Sequence, residues 1–304
     1  MTRFICDDFE YTLRPNFTAE ITAYNGPLDI PFRLTIPTWL HGYPVTAIGE
    51  GLFSGCDTLL SVKLADTITH IGAKAFSGCT MLNSIHMPGS LTVIGYDAFS
   101  DCSALTSIGL PDPLMLISGG AFARCTALAS VDLPDNDVII GRDAFLHCTA
   151  LKSITIPDRL TCMPGNPFTH CTALTDVRVS AGNPVLRVLD GVLYNAAERL
   201  LICHPCGAQD AHYAVPEGTL GIADAAFFGC TGLTSVTLPD GLTEIGSAAF
   251  FCCTALKALT IPLTVTCIAP YCFTGCPDLV LTVTRGSFAE QWCIENDQPH
   301  TCIA

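Results

Sequence analysis

Apolar and polar residues follow a 23-residue period along most of the chain. A phenylalanine marks each period, a cysteine follows it three residues later, and a leucine follows the cysteine after three more. Three residue types repeated in step over nine copies indicate a repeat architecture, in which each unit closes its core only by stacking on its neighbours. The marking residues are Phe53, Phe76, Phe99, Phe122, Phe145, Phe168, Phe227, Phe250 and Phe273.

Each repeat unit alternates short strands with turns. In the unit 57–79, Val62 and Leu64 alternate with polar neighbours, which is the two-residue period of a half-buried strand. A Pro-Asp or Pro-Gly turn follows in most units, then an Ile-Gly step that ends a second short strand, and then a return segment that ends at the cysteine. We expect about ten to eleven such coils, which at about 4.8 Å per coil form a stack roughly 50 Å long.

The repeat resembles the BspA-type leucine-rich repeats of bacterial and protist proteins, whose pattern C-T-x-L-x-S-(I/V)-x-(L/I)-P-(D)-x-x-T-x-I-G-x-x-A-F-x-x-C covers nearly the whole chain. The interval between Cys171 and Cys230 contains the sequence D-G-V-L-Y, which is similar to an interrupting hairpin of that family. The resemblance implies a leucine-rich-repeat solenoid of mainly β coils with short irregular or helical return segments, interrupted once by a β-hairpin. It also implies adhesion or host-surface recognition.

We expect one continuous domain that ends in a short capping helix. Ser287 and Glu290 have the spacing of a capping box and predict a helix over 288–296. The predicted segments are an N-terminal β cap at 1–33, a first repeat block at 34–179, a hairpin insertion at 180–212, a second repeat block at 213–279 and a C-terminal cap at 280–304.

The charge balance excludes several classes of partner. The chain has 28 acidic and 14 basic residues and a net charge of -14, which repels nucleic acid and anionic lipid. The apolar runs are shorter than the roughly 18 residues of a membrane-spanning helix, so we expect no membrane insertion.

We expect a monomer. The stretch 1–10 lacks the basic and apolar parts of a secretory signal, which is compatible with a cytoplasmic location.

The 18 cysteines fall into two groups. Nine belong to the repeat and predict an interior ladder of small apolar side chains, because free cysteine is among the most buried residue types. Disulfides between neighbouring coils are an alternative. The many thiols outside this column favour a reducing compartment or an anaerobic source. These other nine are Cys6, Cys162, Cys203, Cys206, Cys252, Cys267, Cys272, Cys293 and Cys302.

Cys203 and Cys206 have a spacing that can carry thiol or metal chemistry. A redox site would place the first cysteine at a helix N-terminus, whereas Cys203 ends a predicted hairpin strand. A zinc site would need a second pair of ligands, and His212 alone does not complete a tetrahedral set. We interpret the spacing as coincidental, with a metal site and a redox site as the alternatives.

No pattern of catalytic residues is present. The chain lacks His-Glu-x-x-His, Gly-x-Ser-x-Gly and the common phosphate loops. The acids Asp112, Asp135, Asp158 and Asp240 fall in turns, where their side chains bond nearby backbone amides. We therefore expect no enzyme and no cofactor.

The outward side of the first strand of each repeat is the predicted binding surface. Its serine column is nearly uniform and suggests a structural hydroxyl ladder, whereas the next outward column varies. A rigid scaffold with one varied exposed column is typical of repeat proteins that bind protein or glycan partners, and an intracellular scaffold or effector would use the same surface. The candidate binding residues are Lys63, His86, Asp132 and Arg178.

Overall fold

The computed structural model describes residues 2–197 and 199–304. Within them the chain forms a β-solenoid of about 12 turns with one α-helix, which confirms the fold predicted from the repeat. Met1 and Glu198, which belong to the predicted N-terminal cap and hairpin insertion, lie outside the described residues.

The chain divides into two compact units. The first holds the chain up to Phe168 together with Ser180–Pro184, and the second holds Thr169–Val179 and Val185–Ala304. The change of unit falls near the end of the predicted first repeat block. The five segments stay a prediction of how the sequence is organised.

The first unit starts with six strands that precede the regular repeats. They are β1 (Arg3–Cys6), β2 (Phe9–Leu13), β3 (Ala19–Tyr24), β4 (Phe32–Thr35), β5 (Trp39–Leu40) and β6 (Tyr43–Ile48). β1, β2 and β3 pair antiparallel in that order, and β5 and β6 form a hairpin. β3 also pairs in parallel with β6, with Ala19 beside Val45. The N-terminal region therefore adds turns before the first Phe-Cys-Leu triplet, and the solenoid has about 12 turns where ten to eleven were expected.

Most later turns of the first unit have a longer first strand and a two-residue second strand. They are β7 (Leu59–Lys63), β8 (His70–Ile71), β9 (Ser84–His86), β10 (Val93–Ile94), β11 (Ser107–Gly109), β12 (Leu116–Ile117), β13 (Ser130–Asp132), β14 (Ile139–Ile140) and β15 (Ser153–Ile156). Like strands pair in parallel, so Val62 lies beside Ile85 and Val93 lies beside Leu116. Equivalent side chains therefore form continuous columns.

The return segments place the phenylalanines in one stacked column. Within a turn, Cys79 N donates to Phe76 O at 3.2 Å, and between turns Phe76 N donates to Ala98 O at 2.8 Å. The rings of Phe76 and Phe99 have centroids 5.2 Å apart and planes 4° apart. Because both sets of hydrogen bonds repeat with the sequence, each ring is held over the next at nearly constant spacing.

Apart from the half-buried Cys56, the ladder cysteines are buried, as predicted, and most of them also form hydrogen bonds between turns. Cys79 Sγ donates at 3.1 Å to Phe53 O, the carbonyl oxygen of the phenylalanine 26 residues earlier. Phe53 O also accepts the amide of Cys56 at 3.0 Å, so the thiol uses its second lone pair. The same bond is made by Cys102, Cys125, Cys148, Cys253 and Cys276.

The second unit contains the predicted interruption. Its strands are β16 (Asp176–Val179), β17 (Leu186–Leu189), β18 (Val192–Asn195), β19 (Leu200–Cys203), β20 (His212–Ala214), β21 (Gly221–Ile222), β22 (Ser235–Thr237), β23 (Glu244–Ile245), β24 (Ala258–Thr260), β25 (Cys267–Ile268), β26 (Val280–Thr284) and β27 (His300–Ile303). β17, β18 and β19 form an antiparallel meander, and β19 pairs in parallel with β21. The last strand of the meander therefore also serves as the second strand of a solenoid turn.

The second unit contains helix α1 (Phe288–Glu295), close to the predicted bounds. Ser287 Oγ accepts from Glu290 N at 3.2 Å. Glu290 Oε2 accepts from Gly286 N at 2.6 Å, one residue before the position that a reciprocal capping box would use. After the helix, β27 pairs in parallel with β26 and continues the sheet.

Candidate functional site

The outward strand face of the first unit is the set of exposed side chains on its first strands. Lys63 and His86 occupy paired positions on adjacent strands, and Asp132 is paired with Gly109. Lys63, His86, Gly109 and Asp132 are all exposed. They are held outward because the alternate positions on the same strands, such as Val62, point into the core.

An open hollow of about 320 Å³ lies on this face around Asp132. Its polar wall is formed by the carboxylate of Asp132 and by the side chains of Ser130, Ser153 and Thr155. These residues are exposed, whereas Ile154 beneath them is buried. The hollow therefore combines one anionic group with three hydroxyls on a backbone that the sheet keeps in place.

Arg178 differs from the other candidates because it lies in the second unit and already has a partner. Its Nη2 lies 2.5 Å from Asp176 Oδ2, and its Nε donates to Asp176 Oδ1 at 3.1 Å. This two-point contact offsets the charge that the guanidinium would present to a ligand. Residues two apart on a strand share a face, so the spacing of Asp176 and Arg178 could have predicted this ion pair.

The serine column does not form the hydroxyl ladder that its uniformity suggested. Most of its serines are exposed, and the ladder in the described first unit is made by threonines next to the second strands. Thr69 Oγ1 donates to Thr46 O at 3.1 Å, and Thr92 Oγ1 donates to Thr69 O at 2.9 Å. The exposed serines are Ser84, Ser107, Ser130 and Ser153.

Two turn acids bond to backbone amides in the following turn. Asp135 Oδ1 accepts from Arg159 N at 2.9 Å, and Asp158 Oδ1 accepts from Gly182 N at 3.0 Å. These carboxylates thus connect successive turns of the first unit, which explains their recurrence without a catalytic role.

Cys203 and Cys206 belong to a modified return segment. Cys203 occupies the place of Ala226 in the 23-residue register, and the next residue, His204, occupies the place of Phe227. The backbone confirms this alignment, because His204 N donates to Ala226 O at 2.8 Å as Phe227 N does to Ala249 O.

The chemistry of this segment does not favour thiolate reactions. Cys203 is only 1% exposed, and burial raises the pKa of Cys206 to about 12, with a further contribution from Cys171. A thiol in such surroundings stays protonated at neutral pH, and the thiolate is the form that reacts and binds metals. Among the described residues, no group of three or more His, Cys, Asp or Glu side chains is placed to hold a metal ion.

His204 is the residue of this segment that the sequence reasoning missed. It stacks on Phe227 with centroids 5.3 Å apart and meets the Tyr213 ring edge-on at 5.0 Å. Tyr213 in turn shares a 2.8 Å hydrogen bond between hydroxyls with Tyr194. His204 is 3% exposed, its Nε2 has no hydrogen-bond partner, and burial lowers its pKa to about 4. Subtracting 23 from the number of Phe227 would have identified the position.

No helix in the described part of the chain has the length and apolar character needed to cross a membrane.

Comparison with known proteins agrees with this architecture. The sequence profile of the BspA type leucine-rich repeat region matches six copies over residues 45–183 and 211–288. Comparison with curated proteins gives no match. Among solved structures, a leucine-rich cell surface protein from Faecalibacterium prausnitzii is 28% identical with a TM-score of 0.67, and the match covers 93% of this chain and 89% of that one.

Two further solved structures have the same fold at lower identity. The pneumococcal vaccine antigen PcpA is 21% identical with a TM-score of 0.75, over 94% of this chain and 84% of that one. A leucine-rich repeat protein from Eubacterium ventriosum is 20% identical with a TM-score of 0.56, over 93% of this chain and 78% of that one.

Proposed function

Because the chain belongs to the BspA-type leucine-rich repeat family, we propose that it is a non-enzymatic interaction module that holds a protein or glycan partner on the outward strand face. One observation carries this proposal: the exposed column changes from Lys63 to His86, Gly109, Asp132 and Thr155 while the buried columns stay nearly constant. The fold needs the constant columns, so the varied column is available for recognition.

The geometry of the face suits a preformed binding surface. Backbone pairing fixes each first strand, so the backbone that carries Lys63 and Asp132 loses little conformational freedom when a partner binds. The hollow beside Asp132 offers hydrogen-bond donors and acceptors of a kind that both proteins and sugars use. Arg178 has a smaller role in this proposal because Asp176 already pairs with it.

Attachment to another cell or to a host surface is the setting that the similar proteins support. One of them is described as a cell surface protein and another as a vaccine antigen, and an extended exposed face is suited to adhesion. An intracellular scaffold or effector is the second candidate. It is favoured by the free state of all 18 cysteines, among them the exposed Cys162, Cys267 and Cys302, because oxidising compartments favour disulfides.

The test is affinity capture followed by mass spectrometry, with glycan-array binding measured in parallel. The wild type is compared with a Lys63→Ala, His86→Ala and Asp132→Ala triple variant. A Lys74→Ala and Tyr96→Ala double variant is the matched control, since both residues are exposed on return segments. We expect the triple variant to lose partners that the control keeps. Equal retention by both variants would contradict recognition through this face.

Replacing Arg178 and Asp176 together tests the contribution of the second unit. Removing both members of the ion pair leaves no unpaired charge, and we expect the captured partners to remain. If the partners are lost only in this variant, the binding surface belongs to the second unit.

A further inference from the structure

A cleft of about 420 Å³ lies beside the C-terminal helix of the second unit. Its walls come from the return segment after β25, from α1 and from the residues that follow the helix. None of the described residues that line it is charged, although the chain has a net charge of -14. The residues used below are Tyr271, Phe273, Thr274, Trp292, Asn296 and Gln298.

Tyr271 occupies a position where the repeat does not need a tyrosine. Its backbone has a φ of 60°, and the equivalent residues one and two turns earlier, Ala248 and Ala225, have φ values of 53° and 56°. A positive φ disfavours bulky side chains, and the Tyr271 side chain is 69% exposed. Neither local conformation nor core packing therefore explains this aromatic ring at the rim of the cleft.

Trp292 supplies a second aromatic ring. It extends from α1 and is half-buried. It meets the buried Phe273 ring edge-on, with centroids 5.7 Å apart and planes at 80°. This contact fixes the indole, so the cleft has one anchored ring and one exposed ring in its wall.

The polar groups of the cleft are neutral, and two of them are already oriented. Asn296 Nδ2 donates to Trp292 O at 2.9 Å, and Gln298 Nε2 donates to Leu279 O at 3.3 Å. Both amides are thereby held, and their carbonyl oxygens remain as acceptors. The exposed hydroxyl of Thr274 adds a donor and acceptor.

We propose that this cleft binds a neutral sugar unit of a glycan. Sugar rings present an apolar C–H face that packs on aromatic rings, and their hydroxyl groups donate to amide oxygens. The absence of charged lining residues matches an uncharged ligand, and a volume of about 420 Å³ falls in the range of small-molecule sites. No residue of the outward strand face lines this cleft, so the site is independent of the function proposed above.

Tryptophan fluorescence tests the proposal directly. The chain has two tryptophans, and a Trp39→Phe variant leaves Trp292 as the reporter. This protein is titrated with lactose, maltose and N,N′-diacetylchitobiose, and with decaproline as a peptide that also packs on aromatic rings. We expect a saturable change with at least one sugar and none with decaproline.

The Tyr271→Ala substitution in the same background separates binding from folding, because alanine is the residue of the two preceding turns. We expect it to weaken sugar binding by roughly tenfold or more and to leave the circular dichroism spectrum unchanged. Tyr96→Ala is the matched control, since Tyr96 is 67% exposed on a return segment of the first unit, and it should bind as before.

Three results would overturn the proposal. They are a flat titration with all three sugars, equal sugar affinity in the Tyr271→Ala and Tyr96→Ala variants, and saturable binding of decaproline alone. The last result would assign the cleft to a proline-rich peptide.

Discussion

The two units build the same aromatic column from different residues. In the first unit the column from Phe53 to Phe168 is made of phenylalanine alone, with neighbouring centroids 5.2 to 5.7 Å apart. In the second unit Phe227, Phe250 and Phe273 continue from His204, which takes a phenylalanine position. At these positions the repeat therefore requires a flat ring more strictly than it requires phenylalanine. Because His204 is ionisable, the stability of the second unit should depend on pH.

Breaking the first column should have the largest effect. Phe99 is fully buried between two stacked rings, so Phe99→Ala removes its packing on both sides and leaves a cavity. We expect a loss of about 3–5 kcal/mol in the free energy of unfolding, measured by urea denaturation. Tyr96→Ala, an exposed aromatic on the same return segment, should change it little. Similar losses in both variants would mean that the column does not stabilise the unit.

Acid should weaken the second column through His204. Burial lowers the pKa of His204 from 6.5 to about 4 in the folded chain, with Asp210 acting in the opposite direction. Below pH 6.5 the unfolded chain therefore binds a proton that the folded chain does not. The contribution of His204 to the free energy of unfolding is therefore complete above pH 6.5. It declines as the pH falls to about 4, by about 3 kcal/mol in total. Urea denaturation of the second unit between pH 6.5 and about pH 4 measures this loss of unfolding free energy.

The control for this prediction is His204→Phe, which restores the residue of the other turns. Carboxylates that titrate at low pH affect both proteins, so the difference between them isolates His204. We expect the variant to gain relative stability as the pH falls. Parallel pH profiles would show that the histidine is solvated in the folded chain.

Restoring the ladder cysteine beside His204 should destabilise the second unit. Gly207 occupies the place of Cys230, and a Cβ atom there would lie 2.6 Å from Leu174 O and 2.8 Å from Thr172 O. Gly207→Cys therefore forces the backbone apart, and we expect a loss of about 2 kcal/mol. The melting temperature measures it, with Gly241→Ala as control because a Cβ there meets nothing within 4 Å. An unchanged melting temperature would show that the segment adapts.

Removing one ladder thiol from the first unit should have the smallest effect. Cys102→Ala loses the 3.2 Å hydrogen bond from Sγ to Phe76 O and leaves a small void. We expect a loss of about 1 kcal/mol, and exposed Cys162→Ala provides the reference. If Cys102→Val is as stable as the wild type, packing alone accounts for the ladder.

The sequence predicted the features that depend on regular spacing. The parallel stack and the buried phenylalanine and cysteine columns follow from residue types at fixed intervals. The terminal helix follows from the capping-box spacing of Ser287 and Glu290, and the interrupting hairpin was implied by the family resemblance. The thiol bond to Phe53 O was not predictable, because a repeat pattern does not say which carbonyl has a free lone pair. Nor did the pattern reveal the ion pair of Arg178 with Asp176 or the orientation of the amides beside Trp292, since these depend on side-chain geometry.

The Cys-x-x-Cys spacing of Cys203 and Cys206 obscured the fact that both residues belong to the 23-residue repeat. Their Cys-x-x-Cys spacing led to a comparison with redox and metal sites, whereas alignment of Cys203 and His204 with Ala226 and Phe227 identifies a modified return segment. The candidate partner surface stays a prediction, because the identity of a ligand depends on a complementary molecule that this sequence does not encode.

The buried ladder cysteines can also report when the turn that contains them opens. Cys79, Cys102 and Cys125 are fully buried, and burial also raises the pKa of each thiol, that of Cys125 to about 12. An alkylating reagent therefore reacts with these thiols only when their turn opens. Mass spectrometry of the alkylated peptides would then give an opening rate for each turn. The solenoid thus carries its own label for following how unfolding spreads along a repeat protein.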